Sequence, residues 1–227
     1  MNVTTERVDG IALVRLDDGK MNAMNVDGLR ALDEALDAAE DAPALVLTGR
    51  PGAFCAGFDR ATMLGDDDDA KAALSRGGSR ICARLLAWDK PVVAACTGHA
   101  FTIGALWLMA CDTRLAEQGD FKFAMTETAM GAALSGWPMI VLETRVPARL
   151  MTPIAVQSHV LGPDDAIEAG YVDRVVDAGT DAEGGEARRD GVRERVQLAI
   201  GPASPSVAAH EGRVLVSLRG MGAQHLR

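Results

Sequence analysis

Two stretches of the chain share one design. In VLTGRPGAFCAGFDR (46–60) a short apolar run closes at Gly49-Arg50-Pro51-Gly52 and continues through a compact Ala56-Gly57-Phe58. In VVAACTGHAFTIGALWL (92–108) a second run ends at Gly98 and resumes as a helix near Gly104. Apolar runs this short, bounded by Gly and Pro, read as buried strands. A glycine-flanked piece of backbone follows each, where amides can point into a cleft. The repeat requires strands that alternate with helices, an α/β chain with largely buried strands.

The rest of the pattern agrees. ERVDGIALVRLDDG alternates around Ile11, Leu13 and Leu16 and predicts a strand or a short hairpin. VDGLRALDEALDAAED (26–41) sets Leu29, Leu32, Leu36 and Ala39 at helical spacing with acids outward. A helix is expected within 70–88, with Gly77 and Gly78 weakening its middle. Further helical signals cover 104–112, 135–146 and 164–170, and YVDRVV (171–176) reads as extended. Beyond Arg188 the chain is less hydrophobic, broken by Gly-Pro and Ser-Pro, and only loosely helical in pattern.

Bulk properties exclude several classes. A net charge of −9 argues against a general nucleic-acid binder, which needs a basic surface to collect phosphates. No run approaches the apolar length of a membrane-spanning helix, and the first residues lack the basic and then apolar order of a signal peptide. Cys55, Cys82, Cys96 and Cys111 stand far apart without a CxxC, so reduced, buried thiols in a cytoplasmic protein are expected. DDDD (66–69) reads as a solvated loop, because adjacent carboxylates repel and alternate in direction. Dinucleotide, P-loop, HExxH and GxSxG motifs are absent, and the four histidines show no ligand spacing, so no metal is expected.

What remains is loop-and-helix geometry and isolated carboxylates. Two amides aimed at one point from the two glycine-flanked segments would make an oxyanion hole; the alternative is a pair of strand-to-helix connections and nothing more. In FKFAMTETAMG (121–131), Glu127 sits in apolar company. A carboxylate that loses its hydration needs a partner or a task. One bland explanation is capping of a helix start beside Thr126 or Thr128.

Taken together, NAMNVDGLRALDEAL (22–36), VLTGRPGAFCAGFD (46–59), KPVVAACTGHAFTIGALWLMACD (90–112), FKFAMTETAMG (121–131) and LGPDDAIEAGYVDRVV (161–176) resemble the crotonase superfamily, the enoyl-CoA hydratases and isomerases. The resemblance covers roughly the first three quarters of the chain. It implies a spiral of ββα units over residues 1–176 and a helical C-terminal region, 177–227, that mediates assembly into a trimer or hexamer. It implies an acyl-CoA thioester as substrate, with no separate cofactor, since CoA is part of that substrate. Nucleic acid and membrane are not expected as partners.

Residue by residue, the resemblance puts the oxyanion-hole donors on the backbone of Phe58 and Ile103, where the Ile side chain would narrow the pocket. Asn22, Ala23, Ala56, Gly57 and Asp59 correspond to the part that receives CoA. Phe101, Gly104, Leu106, Thr126 and Trp137 complete the substrate-binding positions, with Phe123, Met125 and Met130 in an apolar wall around the acyl group. Hydratases of this family carry two glutamates. The first falls on Leu106, which cannot move protons, and the second on Glu127, the general acid/base. That pattern resembles Δ3,Δ2-enoyl-CoA isomerases. Hydratase or other crotonase chemistry, and an acyl-CoA-binding protein without catalysis, are the alternatives.

Overall fold

The computed structural model describes residues 2–134 and 136–177. The chain begins with an antiparallel hairpin of β1 (Asn2–Val8) and β2 (Ile11–Asp17). Asp9 and Gly10, both at positive φ, make its two-residue turn, the conformation a tight hairpin requires. Helix α1 (Val26–Asp37) follows, started by the Asn25 side chain accepting from the Gly28 amide. Leu29, Leu32 and Leu36 form its buried stripe, as their spacing predicts.

Three ββ-plus-helix turns then repeat. The first is β3 (Leu45–Thr48), β4 (Gly52–Cys55), α2 (Arg60–Leu64) and α3 (Asp68–Leu86). The second is β5 (Val92–Cys96), β6 (Gly98–Phe101) and α4 (Ile103–Ala110). The third is β7 (Thr113–Glu117), β8 (Phe123–Ala124), a 3-10 turn at Thr128–Met130 and α5 (Trp137–Arg145). α6 (Ala148–Met151), a π-helical turn, α7 (Pro163–Glu168) and β9 (Arg174–Val176) complete the described chain.

Each turn contributes its first strand to one sheet and its second to another. The larger sheet has the order β1-β2-β3-β5-β7-β9, parallel except for the hairpin; the smaller is β4-β6-β8, parallel throughout. This is the expected α/β spiral. The main core lies around α4, whose eight residues are all buried. Trp107 is fully enclosed there and donates from Nε1 to the Gly78 carbonyl at 3.1 Å. A smaller cluster of Val8, Leu13, Val46, Val93 and Ala95 covers the other face of the large sheet.

Several local expectations change. β4, β6 and β8 have four, four and two residues, too short for a period-2 signal, and they intervene where the sequence reads as plain connection. The aspartate run is a helix start rather than a loop: Asp67 accepts from the Ala70 amide, and Asp68 and Asp69 lie in the first turn of α3, where negative charge suits the helix dipole. Gly77 and Gly78 do not break α3. A Cβ on Gly77 would meet Leu29 Cδ1 at 2.8 Å, so the pair marks a close approach of neighbouring elements. Residues 178–227, including the arginine-rich segment and nearly all of the expected assembly region, lie outside the described residues.

Candidate active site

The small sheet brings three distant parts of the sequence to one edge. Its strands run parallel, with Cys55 beside Ala100 and Phe101 beside Ala124. Phe58, Ile103 and Glu127 follow the last residues of β4, β6 and β8 by three, two and three positions. Parallel strands of equal hand therefore deliver all three at their carboxyl ends, where open α/β sheets build their sites.

The first loop is fastened to the segment before α1. Ala56 donates to Met21 O at 2.9 Å, Met24 to Gly57 O at 2.8 Å, and Asp59 to Met24 O at 2.8 Å. The Phe58 amide between them has no hydrogen-bond partner among the described residues. Gly57 adopts φ +100°, and a Cβ there would lie 2.3 Å from Thr102 Oγ1, so this position requires glycine on two counts. The Asp59 carboxylate caps α2, accepting from the Thr62 amide and hydroxyl at 2.8 and 2.7 Å. These bonds hold it below the usual carboxylate range.

Asn22 departs from its sequence-based assignment. It is fully buried at φ +57°, and its Nδ2 donates to the carbonyls of Leu16, Ala53 and Phe54. Its Oδ1 accepts from the Asp18 amide at 2.9 Å. The side chain is a staple between β2, β4 and the loop, closed off from solvent. Ala23 beside it stays half-buried, as do Ala56 and Asp59.

The second loop leads into α4. The Thr102 amide donates to Ala124 O at 2.9 Å, tying β6 to the end of β8. Thr102 holds φ +48° and ψ −115°, a conformation rare for any residue with a side chain. No side chain caps α4, and the Ile103 amide at its first position has no partner among the described residues. An uncapped helix start carries partial positive charge, here beside the free Phe58 amide. Gly104 lets α4 lie on the β4 backbone, since a Cβ would sit 2.3 Å from Cys55 O. Phe101 stacks on His99 at 5.8 Å, and His99 Nδ1 accepts from the Lys122 amide, a packing role.

Ile103 does not project as expected. Its Cδ1 and the Phe58 ring both reach Gly78 on α3, at 3.0 and 2.6 Å from where a Cβ would stand. The Ile side chain is thus taken up by the core, at 2% exposure, and the room comes from the missing side chain of Gly78.

Glu127 lies between β8 and the 3-10 turn, and its side chain caps nothing. Capping of that turn therefore does not explain it. Its carbonyl receives the Met130 and Ala132 amides, and Thr128 Oγ1 donates to Ala155 O, so the loop itself is anchored. Glu127 Oε2 is enclosed without a hydrogen-bond partner among the described residues. Burial pushes the carboxyl up to about 7, only partly offset by the Glu127 and Thr126 amides. Phe123 and Met125 form a buried wall behind it, whereas Met130 is 48% exposed and leaves the wall. Thr126 and Trp137 are half-buried, and Leu106 is buried one helical turn into α4.

Three contributors escaped the sequence: Thr102, Gly78 and Tyr171. The first two reveal themselves only through φ and packing. Tyr171 is the chain's one tyrosine, wholly buried, with an Oη that has no partner among the described residues. An open groove between α1 and α3, lined by Val26, Leu29, Asp33, Gly77 and Ile81, contains none of the expected site residues. Among the described residues no three His, Cys, Asp or Glu side chains gather as metal ligands, and no helix is long and apolar enough to cross a membrane. Two free amides and one carboxyl near neutrality can hold developing negative charge on an oxygen and move a proton beside it.

Comparison with known proteins gives this edge a family. Residues 6–184 match the enoyl-CoA hydratase/isomerase family. Crotonyl-CoA hydratase of Syntrophomonas wolfei is 29% identical over 180 residues, 77% of this chain and 69% of that protein. The human mitochondrial enoyl-CoA delta isomerase 1 is 26% identical over 172 residues, 74% of this chain and 57% of that protein. A crystal structure of an enoyl-CoA hydratase from Mycobacterium ulcerans superposes with a TM-score of 0.81 at 30% identity, over 96% of this chain and 90% of that one. With its ββα spiral and its small parallel sheet, the chain belongs to the enoyl-CoA hydratase/isomerase family of the crotonase superfamily, and is an enzyme of that family.

Proposed function

We propose that the protein is a Δ3,Δ2-enoyl-CoA isomerase. The observation carrying the reading is that Glu127 is an enclosed carboxylate whose pKa is raised to about 7, and buried Leu106, where the resemblance puts a second glutamate, can move no proton. One carboxylate suffices for a 1,3-proton shift. Glu127 takes the proton from C2 of a 3-enoyl thioester, the electron pair moves onto the thioester oxygen, and the same proton is returned at C4. The double bond ends between C2 and C3.

In this reading the Phe58 and Ile103 amides hold the enolate oxygen. Both are preorganised, because their neighbours Gly57, Asp59 and Thr102 are fixed by hydrogen bonds or close contact. Removal of one such donor in an enzyme of this kind costs roughly a hundredfold or more in rate. Ala23, Ala56, Gly57 and Phe101 border the CoA and acyl path, Trp137 closes its apolar end, and no further cofactor takes part. Assembly as a trimer or hexamer is part of the proposal.

Hydratase chemistry is the second reading, favoured by the hydratase names among the relatives. It passes through the same enolate but needs a water that Leu106 cannot orient. Incubation with a 3-enoyl-CoA and, separately, a 2-enoyl-CoA distinguishes the two. The isomerase reading expects conjugation of the first, lost in Glu127→Gln. Water addition to the second at comparable efficiency would overturn it. CoA binding without turnover of either would leave a binding protein.

A further inference from the structure

Three enclosed side-chain atoms end without a partner among the described residues: Trp88 Nε1, Glu127 Oε2 and Tyr171 Oη. Trp88 lies under the Arg84 guanidinium at 5.9 Å and has no link to the site. The other two belong together. Tyr171 stands just after α7, its amide bonded to Ala166 O at 2.9 Å. Its ring meets Phe123 edge to face, with centroids 6.5 Å apart. Phe123 is four residues before Glu127 and is locked to Leu161 by a reciprocal pair of backbone bonds at 3.0 and 2.9 Å. Tyr171 therefore packs beneath the strand from which Glu127 emerges.

The chemistry of the two orphans is complementary. Burial, and then the negative charge of Glu127, hold the Tyr171 phenol far above its ordinary range, so it keeps its proton and can only be a donor or a neutral acceptor. Glu127 Oε2 is an acceptor that lacks a donor. Other charges nearby are already engaged. Arg114 pairs with Asp173 and donates to Gly170 O, Arg145 donates to Met109 O and Cys111 O, and Glu168 pairs with Arg149. Asp164 and Asp165 of α7 point to solvent. Glu127 is the charge whose field reaches the phenol. A buried donor and a buried acceptor on packed elements, each without a partner among the described residues, is an arrangement folding alone disfavours.

We propose that Tyr171 is a positioning residue for Glu127: its O–H donates to the carboxylate, after a side-chain rotation or across one water, and fixes which oxygen faces the substrate. This rests on Glu127 being the base. The phenol would hold Oε2 so that the other oxygen sweeps between C2 and C4. Phe123 sets the depth of the ring, and the chain from Phe123 to Glu127 sets the height of the carboxylate above it.

Tyr171→Phe keeps the ring and its contact with Phe123 while deleting the hydroxyl. The expected result is a fall in kcat of about tenfold or more, the worth of a hydrogen bond to a charged group, with KM changed far less. The acid limb of the kcat profile should move to higher pH, because the ionised carboxylate loses a donor. The melting temperature should fall only slightly, since the ring and its contact with Phe123 remain, so the pH limb is the reading that decides. A merely structural role would lower the melting temperature and leave the limb in place; that result, or kcat and limb both unchanged, overturns the proposal. Loss of activity in Glu127→Gln with none in Tyr171→Phe would sink this inference alone, whereas an active Glu127→Gln would sink the catalytic reading beneath it.

A second measurement needs no turnover and no change at Tyr171 beyond one fluorine. Because the chain has one tyrosine, 3-fluorotyrosine labels this position only. Its fluorine resonance in the full-length protein should titrate with the carboxyl of Glu127, at a midpoint of about 7, and the response should vanish in Glu127→Gln. A resonance flat across that range overturns the proposal.

Discussion

Gly57 and Thr102 touch at a point where only a hydrogen atom fits: a Cβ on Gly57 would lie 2.3 Å from Thr102 Oγ1. The contact joins the two loops whose amides are free, each beside its donor. Gly57→Ala would force them apart and also place a side chain at φ +100°. Strain and clash together should lower stability by roughly 2–4 kcal/mol. Turnover should fall more than that loss implies at temperatures where the variant is folded, because the separation of the donors changes. Denaturant melts and kcat/KM on a 3-enoyl-CoA read both effects. In Gly57→Ala/Thr102→Gly the hydroxyl is gone, and a coupling of about 1 kcal/mol should reappear as recovered stability. Additive losses would mean the contact does not matter.

Gly78 does for Phe58 and Ile103 what Gly57 does for Thr102. An added Cβ would stand 2.6 Å from Phe58 Cζ and 3.0 Å from Ile103 Cδ1. Alanine is the better helix former, so on propensity alone Gly78→Ala in α3 would gain about 1 kcal/mol. The clash should reverse the sign, for a net loss of about 1–2 kcal/mol. It should also push the side chain of Ile103 towards the substrate, raising KM for longer acyl chains more than for short ones. A stabilised variant with unchanged KM would show that the two side chains have room to move.

Glu127→Gln separates catalysis from stability by pH. A buried carboxyl whose folded pKa is raised keeps its proton longer in the native state than in the unfolded chain. From the ordinary value of 4.5 up to about 7 the native state binds more protons, so its stability falls as pH rises through that window. Above it the full penalty remains, roughly 3 kcal/mol at most. Glutamine carries no such penalty. The variant should therefore match wild type near about pH 4.5 and become progressively more stable than wild type towards about pH 8. Activity moves the other way: wild-type kcat/KM should climb through pH 7 as the base ionises, and the variant should lose on the order of a hundredfold or more. A stability difference independent of pH would show that the carboxyl is solvated in the native state.

How much of this was written in the sequence depends on range. The stripe of Leu29, Leu32 and Leu36 is a local pattern, and it gave α1 directly. The glycine-flanked connections marked where β4 and β6 end, while it was the family resemblance that singled out Phe58 and Ile103 after them. What did not show was anything set by the meeting of distant segments. β8 has two residues and exists because β6 lies beside it, so no period could announce it. The resemblance put Asn22 where CoA is received, yet its side-chain amide is taken up by three carbonyls from β2 and β4, which only the fold supplies. Gly78 reads as a helix defect until the Phe58 ring arrives from residues away in sequence. Glu127 lay between these cases: its apolar neighbours were visible, but its lack of a capping partner was not.

Thr102 offers the most direct test of strain at the site. Its φ of +48° and ψ of −115° fall where a Cβ crowds the backbone, a conformation that costs on the order of 1–3 kcal/mol for a residue other than glycine. The fold tolerates it because the Thr102 amide is held by Ala124 and the following helix start is fixed on Cys55 through Gly104. Thr102→Gly relieves the strain and removes the hydroxyl from Gly57, but frees the unfolded chain by up to about 1 kcal/mol. The balance should be a stabilisation of about 1 kcal/mol. If the strain also aims the Ile103 amide, the relaxed loop should let that donor drift, and kcat should fall although the protein melts later. A variant that is both more stable and fully active would show that the amide is held by α4 alone.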